Sequence, residues 1–242
     1  DGGVVSKRYN EENNLKCKFG GIGLGIAMIS FIYSITNTSA AVTLLCLAAM
    51  PFITALLGFM FLKETISINV WVSISIAAIG ILIMAIDNAG KNTILGLVFG
   101  LLSSVGFAVF SITLRWRKET PKFTTVAIAG LFCFIVATIM ILSKNQPFFA
   151  TSFNSSMFSL HGTLVCLGLI LYSIGSKAIP AAELTLLSLT EVIGGIFWVW
   201  LPILGINEVP SNNTIIGGFL IFIAIIYYSL IIKNNRRFIA LN

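Results

Sequence analysis

The sequence predicts an all-α integral membrane protein, a polytopic bundle of about eight membrane-spanning helices. Of its residues, 57% are hydrophobic and only 10% are charged, and the mean hydropathy is +0.98. Soluble domains are roughly 45–50% apolar and about 25% charged, so the apolar surface of this chain needs a bilayer as its solvent. The apolar runs are continuous, whereas the strands of a membrane β-barrel alternate over about ten residues. The runs therefore indicate helices.

Eight apolar segments are long enough to cross the hydrocarbon layer, which takes about 20 residues of α-helix. Short polar connectors such as "TNTS", "DNAGKN" and "RWRKETPK" separate them. The first segment is short, but the glycines of its "GGIGLG" run suit close helix packing. No strand precedes that run, as a dinucleotide-binding motif would require. In chain order, the predicted spans are 20–36, 40–62, 67–87, 93–114, 123–143, 157–175, 180–203 and 214–232.

The positive charges predict how these spans are oriented. If the N-terminal segment lies in the cytoplasm and the spans alternate, 13 of the 15 lysines and arginines fall on the cytoplasmic side. The other 2, Lys91 and Lys144, fall outside. This distribution obeys the positive-inside rule and predicts a multi-pass protein of the cytoplasmic (inner) membrane with both termini cytoplasmic. The net charge of +6 then reflects topology, and a nucleic-acid partner is not expected.

The sequence lacks the motifs of common enzymes and of metal or cofactor sites. It has one histidine, four cysteines without a CxxC pair, and no HExxH, GxSxG or Walker loop. The cysteines are interpreted as small apolar residues, with no disulfide, metal or other cofactor. The chain is not expected to be an enzyme, and any transport by it would be secondary rather than driven by ATP.

Two parts of the sequence resemble each other and predict an internal repeat. Segments 31–69 and 169–213 both contain "YSI", then an alanine pair, and then the pattern E-x-x-S-x-N. In the predicted topology the connector at Glu64 is cytoplasmic and the connector at Glu208 is external, so the two copies face opposite ways. Inverted repeats are typical of secondary transporters, which bind substrate near the bilayer midplane between the repeats.

The same stretches resemble a known family. "TSAAVTLLCLAAMPFITALLGFMFLKETIS" resembles the fourth span of EamA-type permeases of the drug/metabolite transporter superfamily, and "IPAAELTLLSLTEVIGGIFWVWLPILGINEVPSNNTIIGGFLI" resembles their ninth and tenth spans. The resemblance implies ten spans in two inverted halves of five, with both termini cytoplasmic. It also implies movement of small metabolites, often amino acids or drugs, across the cytoplasmic membrane.

This resemblance predicts how the chain is divided. Residues 93–232 form a second repeat of five spans, whereas 20–87 form an incomplete first repeat of three. Two spans are therefore expected to precede residue 1. The remaining divisions are a cytoplasmic polar segment (1–19), a linker (88–92) and a cytoplasmic tail (233–242).

The seventh predicted span carries the strongest functional candidate, because a charged side chain at mid-bilayer costs at least about 2.5–3.5 kcal/mol. Glu191 is interpreted either as an acid that binds a cationic group or a coupling proton, or as a protonated acid bonded to a neighbouring helix. On a regular helix Glu183, Thr190 and Gly194 share its face. Glu183 follows Pro180, so a helix-start role is the alternative for that acid.

Four further residues are candidates to line the substrate cavity. Pro51 is expected to kink its span and free backbone carbonyls, with a packing role as the alternative. Tyr33 and Tyr172 occupy equivalent repeat positions and either line the cavity or pack with a single hydrogen bond. His161 is a candidate proton relay, with an interfacial hydrogen bond as its alternative.

Together these features predict a secondary permease that moves a small-molecule substrate across the lipid bilayer by alternating access. The expected substrate is a small polar metabolite, such as an amino acid or a drug, and efflux is favoured. The alternative is a non-transporting truncated fragment or a membrane scaffold subunit. A homodimer is left open.

Overall fold

All regular secondary structure in the described part of the chain is helical, which confirms the prediction of an all-α protein. The computed structural model describes residues 2–38, 40–63, 66–86, 94–116, 122–145, 147–148, 151–201 and 212–240. A π-helical turn at Gly58–Leu62 continues the third helix. In chain order the helices are α1 (Gly2–Asn37), α2 (Ala40–Leu47), α3 (Met50–Leu57), α4 (Ile68–Ile86), α5 (Ile94–Trp116), α6 (Lys122–Ser143), α7 (Ser152–Gly175), α8 (Ala181–Ser188), α9 (Thr190–Trp200) and α10 (Asn212–Ala240).

Several of these helices are long and apolar enough to cross a membrane. Among the described residues, four stretches meet this condition individually: Cys17–Asn37, Leu95–Trp116, Phe123–Ser143 and Ser152–Gly175. Shorter apolar helical stretches at Met50–Leu62, Ile68–Gly80 and Ile215–Tyr228 lie within three further predicted spans. Helices α1 and α10 also extend into the segments predicted as a polar N-terminal region and a tail. The predicted linker 88–92 lies outside the described residues, and the division into two repeats stays a prediction.

Two of the predicted spans each contain two helices: 40–62, where a kink at Pro51 was expected, and 180–203. The assumption of a regular helix from Glu183 to Gly194 is wrong. The first of these spans is interrupted at Ala48–Ala49, between α2 and α3. Pro51 lies in the first turn of α3. Proline disrupts the interior of a helix but is tolerated in a first turn, so the chain begins a new helix at this point. The expected disruption near Pro51 is therefore present, but as an interruption before the proline.

The second interruption, at Leu189 between α8 and α9, has no proline beside it. Hydroxyl groups in this region donate to backbone carbonyls of their own helix: Ser188 Oγ to Thr185 O at 2.7 Å and Thr190 Oγ1 to Leu187 O at 3.0 Å. Such bonds compete with the regular helical ladder and bend helices. Two such bonds therefore accompany the interruption at "SLT".

The two interruptions have the same backbone hydrogen-bond pattern. At the first, Ala49 N donates to Cys46 O and Ala49 O accepts from Phe52 N; these bonds span 3.1 and 3.2 Å. At the second, Leu189 N donates to Leu186 O and Leu189 O accepts from Val192 N, at 3.2 and 3.0 Å. Both are tight i to i+3 turns. In this register Glu191 corresponds to Pro51.

The two interrupted helices lie side by side and run in opposite directions. Helix α2 packs against α9, and α3 packs against α8, so the first half of each interrupted helix contacts the second half of the other. Helices α4 and α10, which follow them, also pack on each other. The core formed by these elements includes Leu47, Ala55, Ile74, Leu186 and Ile221, all at most 8% exposed.

Helix α5 packs against α1, α2, α3 and α8. Its contact with α1 is close: a Cβ atom added at Gly106 would lie 2.5 Å from Gly23 O, so the position of Gly106 needs the absence of a side chain. Ser103 Oγ also donates to Ala27 O across the same contact, at 2.8 Å. By contrast, α7 is peripheral, with 6% of its apolar stretch buried. Its exposed leucines and phenylalanines suit a lipid environment.

Candidate functional site

A cavity of about 310 Å³ lies where the end of the π-helical turn, the start of α4, the end of α5 and the start of α8 meet. Its charged lining residues are Lys63, Arg115 and Glu183, and Ile66 and Val70 form part of its apolar wall. In the predicted topology this end of the bundle faces the cytoplasm. The lining thus combines two basic side chains and one acid with apolar surface.

Lys63 reaches the cavity through an unusual backbone conformation. Its φ and ψ are 53° and 29°, in the left-handed region, and its N–H donates to Gly58 O at the end of the π-helical turn. A left-handed conformation is uncommon for residues other than glycine, and π-helical turns occur frequently at functional sites. The side chain of Lys63 is exposed. The left-handed backbone conformation of Lys63 therefore helps to place this residue at the lining of the cavity.

Arg115 is held at the cavity by the turn that precedes α8. Its Nη1 donates to Ser176 O at 3.4 Å and to Lys177 O at 3.3 Å. Because Arg115 is in the last turn of α5, its positive charge also interacts favourably with the C-terminal end of that helix. The stretch "RWRKETPK", which begins at Arg115, was interpreted from the sequence as a determinant of topology that could also hold anionic lipid.

Glu183 lies in the first turn of α8, as the alternative interpretation of this acid expected. Pro180 is the N-cap of that helix, and the helix N-terminus stabilises a negative charge there. The carboxylate also accepts a short hydrogen bond from the hydroxyl of Tyr228, a buried residue of α10. This bond joins α8 to α10 at the edge of the cavity.

Glu191 does not line this cavity. It lies in the first turn of α9, directly after the interruption at Leu189, and its side chain is exposed. Thr190 is also exposed, and a Cβ atom added at Gly194 would meet no atom within 4 Å. These three residues therefore share an open side of α9. The prediction that Glu183 and Glu191 share one face assumed a regular helix between them. The tight turn at Leu189 interrupts the helical spacing of these two acids.

Thr54, a polar residue that the sequence did not single out, lies three positions after Pro51. Thr54, in α3, is fully buried, and its Oγ1 has no hydrogen-bond partner among the described residues. Buried hydroxyl groups are normally paired, so this oxygen marks a polar position inside the bundle. A lone threonine in an apolar run gives no signal of this kind in the sequence.

The two tyrosines of the repeat both pack against α5. Tyr172 exchanges a hydrogen bond of 2.7 Å with Ser111 Oγ and has edge-to-face contact with Phe107. Tyr33 stacks on Phe99 with ring centroids 5.1 Å apart, and its hydroxyl donates to Met140 Sδ at 3.4 Å. This geometry corresponds to the packed alternative, in which each tyrosine makes a single hydrogen bond.

His161 is exposed on α7, a helix that packs mainly against α6. It does not line the cavity of Lys63 and Glu183. Besides the two tyrosines packed on α5, the structure separates the other candidates into three places. Glu183 lies at the cavity, Pro51 and Glu191 follow the two helix interruptions, and His161 lies on the periphery.

The geometry can be compared with known proteins. The EamA-like transporter family matches residues 18–86, which include α2, α3 and α4. The chain is 23% identical over 201 residues to a protein named "Uncharacterized transporter" in Helicobacter pylori strain J99, and 24% identical over 204 residues to one with the same name in strain 26695. Each match covers 79% of this chain and 66% of the relative. The chain thus spans just under two thirds of the length of these relatives.

A solved crystal structure has a similar fold, with a TM-score of 0.67 over 90% of this chain and 77% of the other. Its sequence identity is 16%, so this likeness concerns the fold alone. The family match, the transporter relatives and the long apolar helices together identify a multi-pass membrane protein. Within this chain, the match to the EamA-like transporter family covers residues 18–86.

Proposed function

We propose that this protein is a secondary transporter that moves small polar metabolites out of the cell by alternating access. The observation that carries this proposal is the pair of antiparallel interrupted helices, α2–α3 and α8–α9, with matching turns at Ala49 and Leu189. Discontinuous helices at the interface of inverted repeats form the substrate sites of many secondary transporters. The names of the two relatives support the same role.

The interruptions supply polar backbone groups inside an otherwise apolar bundle. Pro51 has no N–H to donate, so the regular bond of its turn to the Leu47 carbonyl is not formed. Half-helices also place positive N-terminal ends inside the membrane, where an anionic group is stabilised. The first turns of α3 and α9 would thus contact the polar groups of a solute while the two halves of the bundle rock around it.

In this proposal Glu191 is the residue that couples transport to protons. It lies in the first turn of α9, directly after the interruption and on its exposed side. An acid in a membrane segment is costly and usually faces a polar cavity or a partner. Because the equivalent position of the other interrupted helix is Pro51, the coupling site would belong to one repeat only.

The proposal is tested in two steps. First, cells that produce the protein are compared with cells that lack it, and the metabolites that accumulate in the medium are identified by mass spectrometry. Second, flux of the identified metabolite is measured in oriented vesicles with an imposed pH gradient. We expect Glu191→Gln to insert normally and to lose the pH dependence of flux. Normal pH-driven flux in this variant would exclude the coupling role, and absence of any exported metabolite would favour a non-transporting protein.

A further inference from the structure

The cavity at the end of the bundle has a charge pattern that the transport proposal does not use. Its lining contains two basic residues, Lys63 and Arg115, and one acid, Glu183. We propose that this cavity is a binding site for an anionic oxygen group, a carboxylate or a phosphate, with Lys63 as its principal ligand. The site lies at the ends of helices, apart from the interruptions inside the bundle.

The first argument is the local balance of charge. Among the described residues that line the cavity, two carry a positive charge, Lys63 and Arg115, and one carries a negative charge, Glu183. Glu183 accepts a hydrogen bond from Tyr228, which disperses part of its negative charge. The repulsion that Glu183 exerts on an incoming anion is thereby reduced, and Lys63 lines the same cavity.

The second argument is that the basic groups are positioned by the fold. The left-handed conformation of Lys63 and the π-helical turn before it set the direction in which this side chain leaves the backbone. Arg115 is oriented by the carbonyls of Ser176 and Lys177. Basic residues that serve only to set topology need no defined geometry, because the positive-inside rule concerns their number and side.

The third argument is the apolar wall. Ile66, Val70 and Ala182 line the same cavity as the charged groups. Ligand pockets commonly combine apolar side chains with a small number of charged or polar groups. A volume of about 310 Å³ also exceeds the share of liquid volume of a single water molecule, about 30 Å³, roughly tenfold. The cavity is therefore large enough for a small organic acid or a phosphate group.

An anionic oxygen group could come from a dissolved solute or from a phospholipid headgroup, since the cavity lies at an end of the bundle. The experiment therefore has two arms. The protein is reconstituted in nanodiscs of phosphatidylcholine, and its unfolding temperature is followed by tryptophan fluorescence against increasing succinate or inorganic phosphate, with sodium chloride at equal ionic strength as reference. In the second arm, phosphatidylglycerol replaces part of the phosphatidylcholine without added solute.

We expect succinate or phosphate to raise the unfolding temperature above the chloride reference, because a ligand that binds the folded state stabilises it. In Lys63→Gln the apparent affinity should fall about tenfold or more, since a charge-assisted contact is lost. Lys144→Gln is the matched control: it removes an exposed lysine outside the cavity and should respond as the original chain does. Arg115→Lys keeps the positive charge but removes the planar guanidinium group. Its apparent affinity for the anion should lie between those of the original chain and Lys63→Gln.

The two sources give different results. A response to succinate or phosphate in phosphatidylcholine assigns the site to a solute, and a response to phosphatidylglycerol that is lost in Lys63→Gln assigns it to a headgroup. The proposal is overturned if no anion stabilises the protein beyond chloride in either arm. It is equally overturned if Lys63→Gln and Lys144→Gln behave alike. Neither readout depends on transport, so these results are independent of the proposed function.

Discussion

At the scale of single residues, the buried hydroxyl groups of the bundle differ in whether they have a partner. Ser34 Oγ lies 2.9 Å from both Thr43 Oγ1 and Gly96 O, and Ser103 Oγ donates to Ala27 O at 2.8 Å. Thr54 is as deeply buried and has no partner among the described residues. A paired hydroxyl stabilises a fold slightly, whereas an unpaired one carries the cost of desolvation.

Thr54→Val should therefore stabilise the protein or leave its unfolding temperature unchanged, because valine has the shape of threonine without the unpaired oxygen. Ser103→Ala should destabilise it by about 0.5–1.5 kcal/mol through loss of a buried hydrogen bond. Both variants are compared by thermal unfolding in the same detergent. A loss in Thr54→Val as large as that in Ser103→Ala would show that the Thr54 hydroxyl has a bound partner.

The equivalent tyrosines allow a second prediction. Tyr172 bonds to Ser111 Oγ at 2.7 Å, whereas Tyr33 donates only to a thioether sulfur, a weak acceptor, at 3.4 Å. Tyr172→Phe should cost about 0.5–1.5 kcal/mol of folding free energy and Tyr33→Phe less. A double-mutant cycle with Ser111→Ala measures the Tyr172 bond directly. A coupling energy near zero would contradict this interpretation.

At the scale of elements, close contact between helices depends on specific glycines. In the contact of α4 with α10, a Cβ atom added at Gly80 would lie 2.6 Å from Gly217 O, a backbone atom that cannot turn aside. On α10, a Cβ atom added at Gly218 would meet nothing within 4 Å. The two positions differ in packing although both are glycines within apolar helices.

Gly80→Ala should consequently destabilise the protein by about 1–3 kcal/mol, because the two helices must move apart. Gly218→Ala should be neutral or slightly stabilising, since alanine favours helix by up to about 1 kcal/mol over glycine. Thermal unfolding of both variants, reconstituted in the same lipid, checks the difference. Equal changes in stability for the two variants would mean that helix propensity, and not the contact between α4 and α10, determines the effect of the substitution.

At the scale of the whole molecule, the orientation in the membrane follows from the distribution of basic residues. Lys177, in the turn before α8, is predicted to be cytoplasmic, and Lys144, after α6, is predicted to be external. Both side chains are exposed, so each position is suitable for chemical labelling.

In a variant in which the native cysteines are replaced by alanine, Lys144→Cys should react with a membrane-impermeant maleimide on intact cells. Lys177→Cys should react only after the cells are permeabilised. Labelling is detected as a shift in mass on a gel. The opposite pattern would invert the topology and place the cavity of Lys63 and Arg115 outside.

Part of the candidate site could be predicted from the sequence. A helix-start role was one of two interpretations of Glu183, because this acid follows Pro180, and Pro51 was expected to disrupt its span; local chemistry is sufficient for both. The bond of Glu183 to Tyr228 could not be predicted, because the two residues are 45 positions apart and a tyrosine within an apolar run carries no pairing signal. The turn at Leu189 was missed because an apolar run with two hydroxyl residues does not by itself indicate an interruption.

The amino-acid sequence is sufficient to predict helices that span a membrane, because the length and continuity of apolar runs reflect the solvent that surrounds each segment. Which helices are interrupted and which charged groups meet became known from the three-dimensional structure. Those features depend on contacts between distant segments: α2 with α9, α3 with α8, and the ends of four elements around Lys63, Arg115 and Glu183. The physical reason is that a helix in lipid satisfies its own backbone, whereas a binding cavity requires side chains from several helices.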